Sequence, residues 1–89
     1  MPNIDTSLPG IHVTASQLIK AGNGTLRRVI VNSSSSGTLT VYDNTAASGL
    51  VLLNAFPLTA GATPQFDLAF QNGCYFSLGG TADITAIYY

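Results

Sequence analysis

Polar and apolar residues alternate with a period of two over much of this chain, most clearly from Gly24 to Asp43. Leu39, Val41 and Asp43 fall on one face there, with Thr38, Thr40 and Tyr42 on the other, the signature of a half-buried strand. The arm before it carries Val29 and Val31 on one face and Leu26 and Ile30 on the other. Being apolar on both faces and β-branched, it belongs in the centre of a sheet. Between the two arms, Asn32 to Gly37 are small and polar, with one glycine free to take positive φ. This predicts two strands joined by a hairpin loop.

Along the rest of the chain, residues 1–10 hold two prolines and show no period, which predicts an extended N-terminal arm. Ile11–Thr14 reads as a short strand with His12 facing away from Ile11 and Val13. Ser16–Ala21 also reads as a strand, being too short for a helix and running straight into Gly22-Asn23-Gly24, a tight turn. After a loop over 44–49, Leu50 to Leu53 are apolar at four successive positions, and Phe56-Pro57-Leu58 extends that surface into a bend. A strand apolar on both faces must be covered on both. Phe66, Leu68 and Phe70 alternate with Asp67 and Ala69, and after a Gln71-Asn72-Gly73 turn Cys74, Phe76 and Leu78 alternate in the same way. Gly79-Gly80 predicts another turn, leading into a last strand from Ala82 to Tyr89. About eight short strands at roughly ten-residue spacing, with no convincing helix, predict an all-β fold: a single antiparallel β-sandwich or jelly-roll-like domain over 11–89, preceded by the arm at 1–10. Val29, Val31, Leu39, Val41, Phe66, Leu68, Phe76 and Ile84 are its expected core.

Composition sharpens this picture. Only 8% of the 89 residues are charged, and 33 are Ser, Thr, Asn or Gly, so the surface is neutral and hydroxyl-rich. A net charge of −1 with three basic residues gives no footprint for nucleic acid, which needs several cations on one face. Adjacent Arg27 and Arg28 point to opposite sides of a strand. No basic start followed by an apolar run marks a signal peptide, and no stretch is long enough to span a bilayer, so the expectation is synthesis in a cytoplasm and no membrane partner. A chain of this size buries roughly 60–65% of its unfolded surface. Apolar burial and chain entropy then nearly cancel, and burial in an oligomer matters. The surplus apolar residues Val51, Leu53, Phe56, Leu58, Ile87 and Tyr89 are the candidates for a homo-oligomeric contact.

Candidate chemistry is sparse. His12 is the single histidine and the only base available to a Ser/His/Asp set, and no Gly-x-Ser-x-Gly motif supports one. It has no Cys, His or clustered carboxylate near it in sequence. Asp5, Asp43, Asp67 and Asp83 lie far apart along the chain. Cys74 has no partner for a disulfide or a metal and reads as a small buried hydrophobe. Gly22-Asn23-Gly24 lacks the strand–helix context of a dinucleotide loop. The expectation is therefore no enzyme, no cofactor and no metal. Tyr42, Tyr75, Tyr88 and Tyr89 offer stacking platforms for sugars, although tyrosines on strands more often pack in cores or interfaces.

Gly-x-Gly-Thr-Leu, Val-Ile-Val-Asn, Leu39-Thr40-Val41-Tyr42-Asp43-Asn44, then Gln-Asn-Gly-Cys-Tyr-Phe-Ser-Leu and a closing Ile-Tyr-Tyr form an order that resembles small β-sandwich accessory proteins of tailed-bacteriophage virions, over about residues 20–89. The resemblance is one of strand pattern, and it implies a capsid decoration, or cement, protein located in the virion and commonly trimeric. Its partners would be further copies of itself and the major capsid protein or other virion proteins. Within the arm, Ile4, Leu8 and Pro9 become the candidate shell contacts. A tail, neck or fibre-associated role and a sugar-binding receptor-recognition module are the alternatives.

Overall fold

The computed structural model describes residues 10–89. They form six strands: β1 (Gly10–Val13), β2 (Gln17–Ala21), β3 (Gly24–Tyr42), β4 (Val51–Pro57), β5 (Gln65–Phe70) and β6 (Gly73–Tyr88). All pairings are antiparallel, so the all-β antiparallel class read from the alternation holds. No helix among these residues is long and apolar enough to cross a membrane.

The strand count differs from the expected eight for a specific reason. Asn32–Gly37 is no hairpin loop, and Gly79-Gly80 is no turn. Each lies inside one continuous strand, and the two segments face each other across the β3–β6 ladder, with Ser35 opposite Thr81 and Thr38 opposite Gly79. Small polar residues and left-handed backbone at Ser36 (φ 56°) and Gly80 (φ 68°) let both strands bend together instead of reversing. The ladder shifts register there, between Ser35 and Thr38. The arm boundary also moves, because Gly10 already pairs with Ile87 in β1.

The short strands flank this long pair. β1 and β2 follow one another along β6, and the gap between them is bridged where Leu78 N–H donates to Ser16 Oγ at 2.9 Å. β4 and β5 follow one another along β3, and their connection keeps bonding to it: Leu58 N–H donates to Gly37 O and Val31 N–H to Ala62 O, both at 2.9 Å. The lateral order is therefore β1/β2, β6, β3, β4/β5, and among the described residues no further strand pairs with either outer edge.

At about 3.3 Å per residue, nineteen residues of straight strand would measure about 60 Å. The longest dimension of the molecule is 41 Å. Connectivity shows how the ladder turns back. Ala21 sits opposite Gly73 at the start of β6, while Gly24 lies opposite Phe70, and the next residue, Thr25, exchanges backbone hydrogen bonds with Tyr89 just beyond the end of β6. Three Cα steps of 3.8 Å, at most about 11 Å, separate Ala21 from Gly24, so both ends of β6 come to the same turn.

Buried side chains from both halves of the bent ladder form one cluster that includes Val13, Ile19, Leu26, Val29, Val31, Leu39, Val41, Phe70, Phe76 and Ile84. Six of the eight expected core residues are at most 1% exposed; Phe66 and Leu68 are half-buried and pack against them. β5 keeps its in–out alternation, and the left-handed residue between Phe66 and Leu68, Asp67 (φ 52°), lies where the β3–β5 ladder shifts register, between Leu26 and Arg28.

Candidate functional site

Antiparallel register, acting over long sequence separations, assembles the one polar side-chain cluster that brings the histidine to a carboxylate. His12 on β1 sits opposite Thr85 on β6, Ile30 on β3 sits opposite the same Thr85, and Ser33 sits opposite Asp83. Residues His12, Asp83, Asn32 and Thr85 thus converge on the outer face. His12 Nε2 lies 2.6 Å from Asp83 Oδ1, and Asn32 Nδ2 donates to the same oxygen at 3.0 Å. A longer contact, 3.4 Å, runs from Asn32 Nδ2 to Thr85 Oγ1. The Asn32 hydrogen bond, and then His12, hold the Asp83 carboxyl below its ordinary range. Sequence reading left His12 without a partner because the carboxylate stands 71 positions away.

A carboxylate that fixes an imidazole is one part of general-base chemistry; a nucleophile on the imidazole and a substrate cleft are the others. Here the side chains of His12 and Asp83 are 62% and 38% exposed, so water screens the pair. The described residues enclose no pocket and hold no group of three or more potential metal ligands. What the cluster does in this geometry is tie the edge strand β1 to β6 and β3.

The other polar side chains are bound into the scaffold. Asp43, nearly buried just after β3, accepts backbone N–H bonds from Gln71 at 2.9 Å, Asn72 at 2.7 Å and Gly73 at 3.4 Å. These amides, Asn72 foremost, outweigh desolvation and hold its carboxyl below the usual carboxylate range. Asp43 thereby fastens the β5–β6 turn to the end of β3. Arg27 donates to Tyr89 Oη at 3.2 Å and pairs with Asp67 at 2.8 Å, and the Tyr89 hydrogen bond, then the Asp67 charge, push the guanidinium pKa up. Cys74 is fully buried, and burial pushes its thiol up to about 12, with Asp43 adding to the effect, which disfavours the thiolate form.

The candidate contact residues divide by exposure. Val51 (41%) and Tyr89 (47%) are exposed, while Leu53, Phe56 and Ile87 are half-buried. Leu58 is turned into the chain's own core. Ile4, Leu8 and Pro9 lie outside the described residues. Tyr42 and Tyr75 stand directly opposite one another on β3 and β6, half-buried, each between two buried neighbours, and so face outward. Neither a protein-family model nor a curated protein nor a solved structure matches the chain.

Proposed function

We propose that this chain is a structural protein of a tailed-bacteriophage virion, a capsid decoration protein that binds the outer shell and works by surface contact as a homo-oligomer. It is carried by one observation: a sheet edge, β4, that no other described strand covers and that starts beside exposed aliphatics, Leu50 (64%) and Val51 (41%), on a chain with few charges. Such an edge gains from being covered. In this reading the bent ladder closes into a β-sandwich. Phe56 on β4 and Phe66 on β5, from opposite halves, support that closure by packing edge to face with centroids 5.2 Å apart. A rigid sheet with several weak contacts suits a shell under load, because multivalency supplies avidity without one strong site. Few charges make the binding tolerant of moderate salt.

The resemblance in strand order, centred on Leu39–Asn44, supplies the virion context. A second reading, a sugar-binding recognition module, is favoured by the outward Tyr42–Tyr75 pair. The test mixes purified protein with capsids that lack it and compares the full chain with one missing residues 1–9, which precede β1. Co-sedimentation of the full chain and loss of binding without the arm are expected. Failure of both to bind would move the assignment to a tail or neck component, and a glycan array with clear hits that Tyr75→Ser abolishes would favour the second reading.

A further inference from the structure

One row of side chains crosses the outer face of the half formed by β2, β4 and the adjoining parts of β3 and β6. Val51 is opposite Tyr42, Tyr42 opposite Tyr75, and Tyr75 opposite Leu18. Directly opposed residues of antiparallel strands share a face. Their sequence neighbours Val41, Asp43, Cys74, Phe76 and Ile19 are buried, so the row points away from the core. Its ends are open, with Leu18 38% and Val51 41% exposed.

Charge is distributed unevenly around this row. Among the described residues, Arg27, Arg28, Asp67 and Asp83 belong to the opposite half of the ladder, and this half holds Lys20 and the inward Asp43. Two such faces can approach with little like-charge repulsion and little desolvation of ions.

We infer that the row is a self-docking surface, occupied by a second copy of this chain. The order aliphatic, tyrosine, tyrosine, aliphatic is nearly palindromic. A two-fold axis parallel to the strands and between the tyrosines therefore sets Val51 against Leu18 of the second copy and Tyr42 against its Tyr75, an isologous contact. Three strand spacings of about 4.8 Å make the row about 14 Å long, and with side chains the patch measures roughly 20 by 20 Å. That is about 400 Å² per copy against about 800 Å² in a standard interface. The dimer is accordingly weak and concentration-dependent, a contact that counts when many copies are held in one array. The inference rests on the self-associating role proposed above, and gives it a place and a two-fold symmetry.

Sedimentation velocity of the full chain over a concentration series tests it. The wild type is expected to show a monomer–dimer equilibrium. Tyr42→Lys and Leu18→Lys should each raise the dimer dissociation constant about tenfold or more, since each sets an unpaired cation in the contact. Ala69→Lys, at an exposed position of β5 in the other half, should leave it unchanged. Leu18→Lys, at an exposed position, carries the test if Tyr42→Lys fails to fold by circular dichroism. A wild type monomeric at every concentration, or a trimer indifferent to both row substitutions, overturns the inference. Capsid co-sedimentation separates this from the shell role: wild-type protein that binds capsids but never dimerises refutes the row alone, whereas dimers that ignore capsids refute the shell role alone.

Discussion

Replacing Gly80 by alanine probes the bend on which the architecture depends. Gly80 has φ of +68° and lies where β6 passes Ser36 and Gly37 of β3. An added Cβ would press on the Ser36 carbonyl oxygen, and would stand 2.8 Å from the Ser36 carbonyl carbon and 3.2 Å from Gly37 Cα. All three are backbone atoms, so no rotamer change relieves the contact. Left-handed backbone costs an L-residue about 1–2 kcal/mol. Overpacking against neighbours that cannot move adds about 1–3 kcal/mol. The expected loss is about 2–5 kcal/mol, against a total stability of about 4–13 kcal/mol for a chain of this length. At about 4–8 °C per kcal/mol, the melting temperature should fall by roughly 10 °C or more. Gly61→Ala provides the control, since Gly61 has φ of +83° and nothing within 4 Å of the added Cβ. It bears the conformational cost alone, partly offset by about 0.4–1 kcal/mol from a stiffer unfolded chain. Thermal melts followed by circular dichroism should place Gly80→Ala well below Gly61→Ala. Equal melting temperatures would refute the claim that the bend closes tightly on the β3 backbone.

Val41→Asp places a charge at a fully buried position and should cost about 3 kcal/mol or more, leaving little folded protein; a soluble variant with a cooperative melt would refute the register assigned to β3. Asp43 and Asp83 both have folded-state pKa values below their unfolded ones, so the stability they contribute is complete above the unfolded value of about 3.9 and is lost as pH falls through the folded one. Asp43→Asn should therefore melt lower than wild type at neutral pH and show a shallower decline on acidification, measured as melting temperature against pH; an unaltered acid limb would show that the three amide bonds do not act as described.

Strand class and core were legible because burial imposes a period of two wherever one face of a sheet is covered. Val29, Val31, Leu39, Val41, Phe76 and Ile84 follow it without exception. The Asn32–Gly37 and Gly79-Gly80 segments were misread for a physical reason. Small polar residues and glycine permit reversal and bending equally, and the choice depends on whether a partner strand runs alongside. Here each bend is the other's partner, a pairing between segments more than forty residues apart that no local pattern can display.

The same distinction applies to the candidate sites. By itself the sequence determined the antiparallel β class, most of the core, the thin charge and the inward position of Cys74, because each depends on residue type and local alternation. Only the tertiary structure decided that His12 meets Asp83 and Asn32, that Asp43 holds the β5–β6 turn, and that Val51, Tyr42, Tyr75 and Leu18 stand in one row. Each of those contacts is a matter of register across strands, and register is set along the whole bent ladder, whose buried side chains form one cluster.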